Sequence, residues 1–155
     1  MSRRAQIAMS EQEVFEFLDS QMLGVFGSIG PDGAPHLVHM GFMVEDREIV
    51  VSSFAAAQKI RNLERSDKAS FLVETSWPYA EIRGVMLTGE TRIVRDTETV
   101  IDVTTRMRER HRAMSGSDEG TPEIDIARHA PKRVVVYLTP GRIRSWDHRR
   151  LGGSY

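Results

Sequence analysis

The stretch Leu23–Gly24–Val25–Phe26–Gly27–Ser28–Ile29–Gly30–Pro31–Asp32–Gly33–Ala34–Pro35–His36 decides the fold. From Met22 to Ile29 both alternating faces are apolar, with Gly24, Gly27 and Gly30 interspersed. Pro31-Asp32-Gly33 is a turn signal, because proline presets one dihedral and glycine accepts the positive φ that follows. His36 to Val44 is again apolar on both faces, Glu45-Asp46-Arg47 makes a second turn, and Glu48 to Ser53 reads as a third strand. The three strands form a meander joined by tight connections. Strands that are apolar on both faces must be covered on both sides. In an antiparallel meander this predicts a closed barrel whose outside is also buried, by helices or by a partner subunit.

The flanking sequence is helical where its period changes. Ser10-x-x-Glu13 is a capping box ahead of Val14, Phe15, Phe17 and Leu18, so a short helix is expected from Ser10 to Ser20. Ala55 to Arg65 carries a stripe of Ala56, Ile60 and Leu63, with Lys59 expected one turn into the helix. Ala69 to Glu74 and Glu81 to Val94 read as strands, with Trp77-Pro78-Tyr79 as the loop between them. Asp96 or Thr97 caps a long helix to about Met114. Ser115 to Thr121 reads as a flexible loop and Pro122 to Ala130 as a short helix. Arg133 to Leu138 is a β-branched strand, Pro140-Gly141 is expected to turn the chain, and Arg142 to Trp146 is the last strand. The tail from His148 to Tyr155 is expected to be mobile unless a partner holds it. The sum is one α+β domain over residues 1–155. It is built on a small antiparallel barrel of about six to seven strands with flanking helices, and 96–130 is a helical insertion.

Composition removes several function classes. A length of 155 residues suits one domain with a real core. No apolar run is long enough to span a bilayer, and no apolar core follows Met1–Ser2–Arg3–Arg4, so the reading is against a membrane span and against secretion. The absence of cysteine excludes disulfides, thiolate metal sites and cysteine nucleophiles, and fits a reducing cytoplasm. A net charge of −1 argues against general nucleic-acid binding.

Four constellations carry chemistry. Ser52, Ser53 and Lys59, with Arg61 and Asn62, stand where a strand gives way to a helix. Hydroxyls, an ammonium and a helix N-terminus together make a phosphate cradle; the alternative is a cap at Ser53 and a solvated Lys59. Trp77, Tyr79 and Trp146 offer planar walls for a flat ring system, or ordinary packing in a core or interface. His36 and His39 are three apart on a strand and point to opposite faces, so they cannot chelate one metal, and no metal centre is expected. His36 is read as pocket lining and His39 as an interior or interface residue. Arg106 to Arg112 is a basic run interrupted by Glu109 and without interleaved aromatics, which reads as a solvated helix end. No Gly-x-Ser-x-Gly elbow, Walker loop or Gly-x-Gly-x-x-Gly turn is present.

The Gly30–Pro31–Asp32–Gly33–Ala34–Pro35 turn, then Val50–Val51–Ser52–Ser53, then Lys59–Ile60–Arg61–Asn62–Leu63, and the long strand ending Gly89–Glu90 follow a familiar order. The chain resembles the pyridoxamine 5′-phosphate oxidase-like flavin-binding split barrels, and within them the flavin/deazaflavin oxidoreductase branch B, which often uses coenzyme F420. The resemblance implies a homodimer with two cofactor sites at its interface. It implies that Ser52, Ser53 and Lys59 hold the cofactor phosphate with Asn62 nearby. The strand from His36 to Met40 would run beside the ring, and Tyr79 and Trp146 would flank it, Trp146 from the other chain. The implied activity is a cytoplasmic oxidoreductase that passes a hydride between F420 (preferred) or FMN and a small planar organic substrate. The alternative is a non-catalytic flavin or deazaflavin carrier, sensor or store. No residue is assigned as catalytic; His36 and Tyr79 are the candidates should an acid assist. The family's additional C-terminal arginines for a substrate phosphate have no clear counterpart, Arg142 and Arg144 being only loosely comparable, so vitamin B6 oxidation is not expected.

Overall fold

The computed structural model describes residues 2–116 and 125–152. Helices α1 (Arg3–Ile7) and α2 (Glu11–Asp19) precede strands β1 (Leu23–Ile29), β2 (Pro35–Gly41), β3 (Met43–Glu45) and β4 (Glu48–Phe54). Then come α3 (Gln58–Arg65), β5 (Lys68–Glu74), β6 (Arg83–Val94), α4 (Thr97–Ser115), α5 (Ile126–His129) and β7 (Arg133–Asp147). The seven strands form one antiparallel sheet in the order β2-β1-β5-β6-β7-β4-β3. Its two edge strands, β2 and β3, are separated in sequence by Phe42 alone. The sheet therefore curls until its edges meet through the chain itself, giving a half-barrel in an α+β fold.

The expected second strand, His36 to Val44, breaks at that residue. Its first part pairs with β1 and its second with β4, so the chain crosses the opening of the barrel at Phe42. The reason is packing: Phe42 is fully buried, with its ring 4.9 Å from that of Phe71 in an edge-to-face contact. Gly33 has a φ of 83° in the β1–β2 turn, and Asp46 and Arg47 both take positive φ in the two-residue β3–β4 hairpin.

Strand alternation builds two apolar layers. Phe26, Ile49, Val51, Phe71, Leu87, Val134 and Val136 point inward with Phe17 and Leu18 of α2 and Ile60 and Leu63 of α3. Val50, Val135 and Tyr137 point outward and are covered by Val100 and Val103 of α4. Part of the doubly apolar pattern is thus explained within one chain, by the α4 insertion. The α2 capping box is present, with Ser10 and Glu13 exchanging bonds.

Three expectations change. Pro140-Gly141 does not turn the chain; β7 runs unbroken past it as the longest strand. The register slips by one residue there, between Thr88 and Gly89, and Gly141 is the extra residue of a bulge. A bulge accepts a proline that lacks the ladder N–H. A Cβ on Gly89 would stand 1.9 Å from the Thr139 carbonyl oxygen, so the backbones pass there at a distance only glycine permits. Second, α3 begins at Gln58, so Lys59 is its second residue and does not lie one turn in. Third, residues His148–Leu151 of the tail form a 3-10 turn tied to the N-terminal segment: Arg150 binds the Ala8 carbonyl at 2.5 Å and pairs with Glu13. The expected loop 115–121 lies largely outside the described residues, as do 153–155 of the tail.

Candidate functional site

The strand-to-helix junction was expected to present Ser52 and Ser53 together. On a strand neighbours face opposite ways, and β4 obeys this. Ser53 is 4% exposed, points into the barrel and donates to the Phe54 carbonyl at 3.3 Å. Ser52 points outward under α4. Its Oγ lies 3.2 Å from the Thr104 hydroxyl and accepts from Arg133 Nε at 3.1 Å. Sequence reading missed Arg133. It opens β7, pairs with Phe54 in the ladder, and lays its guanidinium 4.6 Å from the centroid of the Phe54 ring.

Lys59 is half-buried at the start of α3, whose first turn no side chain caps. Burial depresses the proton affinity of its ammonium, and the Arg133 charge depresses it further. Burial also lowers the Arg133 guanidinium from its usual value. Two cations thus lie close together, partly desolvated, and no acidic side chain among the described residues offsets either. Without a ligand this arrangement is unfavourable; an anion relieves it.

Beside Arg133 is a cavity of about 230 Å³ between the β2 edge, β4 and the α4–α5 insertion. Met40, Met107 and Ile126 give it apolar walls; Ser52, Thr104, Arg108, His111, His129 and Arg133 give it polar ones. Met40 and Ser52, expected at a common site, do meet here. Thr104, His111 and His129 were not foreseen, because only the tertiary packing of α4 brings them to β4.

The other expected residues lie apart. His36 shares a face of β2 with Met40, opposite Ser28, and its Nδ1 is buried without a hydrogen-bond partner. His39 faces the other way and is exposed, not interior. Asn62 is 1% exposed; its amide donates to Ser28 Oγ at 3.0 Å, and its oxygen accepts from Gln58 and Arg65. It fastens α3 to β1 from within. Trp146 packs over Gly84 and donates to Glu74 at 2.9 Å, while the Tyr79 ring lies 4.7 Å from that of His148. This is the Glu74–Gly84 end of the sheet; Asn62 anchors α3 at Ser28, whose neighbour Gly27 pairs with Ser70, four positions back along β5. One chain does not bring these aromatics to Lys59. Arg106 and Arg110 of the basic run are engaged within the fold, Arg106 with Glu45 and Asp102, Arg110 with the Asp19 and Gln21 carbonyls.

The model of the pyridoxamine 5′-phosphate oxidase family matches residues 10–147, most of the chain and the whole of the sheet. The chain belongs to the pyridoxamine 5′-phosphate oxidase family. Among solved structures it is similar to a conserved hypothetical protein, Rv2991 of Mycobacterium tuberculosis. The two are 37% identical, with 100% of this chain and 95% of that one covered and a TM-score of 0.83. More distant likenesses, which show the fold alone, include an F420 reductase at 19% identity (83% and 93% covered, TM-score 0.62). Another is an FAD-binding protein from Mycobacterium smegmatis at 18% identity (89% and 96% covered, TM-score 0.59). No curated protein matches. Among the described residues no helix is long and apolar enough to cross a membrane, and no group of three acidic or histidine side chains is placed to hold a metal ion.

Proposed function

We propose that this family member is a cytoplasmic oxidoreductase of the flavin/deazaflavin branch that binds F420, or else FMN, and exchanges a hydride with a small planar organic substrate. The observation that carries the reading is the Lys59–Arg133 pair with the Ser52 hydroxyl: two unneutralised cations and a hydroxyl fit a phosphate, which both cofactors possess. Lys59, Arg133 and Ser52 hold that phosphate. Met40 and His36, on one face of β2, border the ring, and the buried His36 Nδ1 without a partner suits a polar edge of it. Asn62 and Ser53 support the cradle from behind, as internal groups. The cofactor when bound supplies the hydride chemistry; the protein binds it, orients one face and excludes water.

The functional unit in this reading is a homodimer. The outer face of β1, β2, β5, β6 and β7 carries a groove of about 630 Å³ where Leu37 is 65% and Ile29 46% exposed. Large apolar side chains around a glycine-floored groove suit a second copy placed across a two-fold axis. Such a partner is the route by which Tyr79 and Trp146 reach a cofactor.

Parallel titration of the purified protein with F420 and FMN, followed by tryptophan quenching, tests the reading. Saturable binding of one of them, and oxidation of the bound reduced form by a nitroaromatic or quinone faster than by oxygen alone, are the expected results. Binding without acceptor-dependent oxidation identifies a carrier or store, and absence of binding to either removes the proposal.

A further inference from the structure

Helices α4 and α5 do more than cover the sheet: with Ser52 and Arg133 they line a cavity. Resting on the reading above only in naming the ligand's role, we infer that this cavity takes the carboxylate of a one-ring aromatic or heteroaromatic substrate, with Arg133 and His129 as the groups that select the anion. At about 230 Å³ the cavity falls below the roughly 300–1,000 Å³ of pockets for larger ligands, which suits a single ring. The walls divide by chemistry. Met40, Met107 and Ile126 are apolar and adaptable, as a flat ring requires. The polar members are hydroxyls, imidazoles and guanidiniums, and no carboxylate stands among the described lining residues.

Two of these groups have hydrogen-bonding capacity to spare. Arg133 spends Nε on Ser52, and its terminal nitrogens have no acceptor among the described residues. The half-buried imidazole of His129 likewise has no side-chain partner among them, although its backbone N–H is satisfied by Asp125. His111 differs: its Nε2 is 3.4 Å from the Met22 carbonyl, which can only accept, so this imidazole is oriented by the fold and serves as wall. A guanidinium edge and an imidazole N–H in one small cavity favour a carboxylate over a neutral amide of the same shape, because only the anion satisfies the desolvated cation. With Nε on Ser52, Arg133 has two terminal nitrogens left, one for the cofactor phosphate and one for the carboxylate, which puts the acceptor next to the cofactor.

Benzoate and its neutral isostere benzamide are the probes, titrated calorimetrically into the full-length protein with and without saturating cofactor. Benzoate is expected to bind more tightly than benzamide by about tenfold or more, the margin of a charge-assisted bond. His129→Ala should weaken benzoate more than benzamide while the cofactor affinity stays unchanged, and Met107→Trp, which fills the cavity from its apolar wall, should abolish binding of both probes. Equal binding of the two probes, no binding of either, or benzoate affinity indifferent to both variants overturns the inference. Benzoate selectivity in a protein that binds neither F420 nor FMN would sink the redox reading and leave the anion cavity standing.

Discussion

Lys59 at the start of α3 and Arg133 at the start of β7 are partly desolvated cations within electrostatic reach of each other: burial first, and then the charge of Arg133, lowers the proton affinity of Lys59. The pairing is a product of topology. β4 and β7 are hydrogen-bonded neighbours in the sheet though far apart in sequence, and the ladder that sets Phe54 opposite Arg133 puts Arg133 beside the strand end that leads into α3. A folded protein keeps such a pair at a cost, and the cost is the physical case for an anionic ligand.

Lys59→Met isolates that cost. The methionine keeps the buried stem and removes the charge. The folded-state proton affinity of Lys59 is lowered, so between its folded and unfolded pKa values the unfolded chain binds the proton more strongly. The wild-type protein should therefore gain stability as pH rises through the folded value, and the variant should lack that gain. At pH 7 without ligand the variant's Tm should equal or exceed the wild type's, while its affinity for F420 or FMN falls about 10- to 100-fold, the worth of a charge-assisted contact. A ligand-free Tm well below wild type, with cofactor affinity intact, would show Lys59 to be a structural residue.

Asn62 makes the opposite prediction. Its amide nitrogen donates to Ser28 and its oxygen accepts from Gln58 and Arg65, all inside the fold. Asn62→Leu leaves these partners unsatisfied and should cost about 1–3 kcal/mol of stability in urea unfolding. Cofactor affinity, corrected for the fraction folded, should fall by less than in Lys59→Met. A larger fall would put the Asn62 amide in the phosphate site itself.

Leu37→Glu tests the outer face. Leu37 is 65% exposed in one chain, so the substitution should change the stability of a lone subunit by less than about 0.5 kcal/mol. Across a two-fold axis it confronts the partner with a second charge on an apolar surface. Sedimentation should show a dimer for the wild type and a folded monomer for the variant, and cofactor affinity should drop with it. An unchanged sedimentation coefficient would place the interface elsewhere or remove it.

Much of the barrel was legible because its signals are local. The Pro31-Asp32-Gly33 turn, the Ser10–Glu13 capping box and the β-branched run from Arg133 each act within a few residues. What failed was non-local. Phe42 breaks its strand because Phe71, nearly thirty residues on, supplies the ring it packs against. Pro140-Gly141 looks like a turn until Gly89 is known to lie opposite and to accommodate a bulge. Ser52 and Lys59 stand out by residue type and position and Met40 only through the family resemblance; the structure sets Ser52 and Met40 on one cavity and Lys59 at the start of α3. Ser53 was paired with Ser52 although strand alternation alone separates them. Arg133, Thr104, His111 and His129 carry no mark in the sequence, since the packing of α4 and the β4–β7 ladder give them their neighbours.

Asp147 supplies the last prediction, and a readout away from the site. It is 3% exposed at the end of β7 and takes a bidentate pair of bonds from Arg149, at 2.9 and 2.6 Å, with a third from the Arg149 backbone. These bonds, the side-chain ones first, hold its carboxyl below the usual aspartate range. Its stabilising contribution is therefore fully present above the unfolded-state value, near pH 4, and is lost as pH falls through the lower folded value. Because Arg149 is itself about half exposed, the contribution is discounted to about 1–2 kcal/mol. Asp147→Asn should lower stability by that amount from pH 5 to 8, with the gap to wild type closing as pH drops below about 4. Trp146 is the adjacent fluorophore, so urea unfolding by tryptophan emission measures it. A gap that persists unchanged to pH 2 would mean that the shape of the side chain, and not its charge, holds the tail against the N-terminal helices.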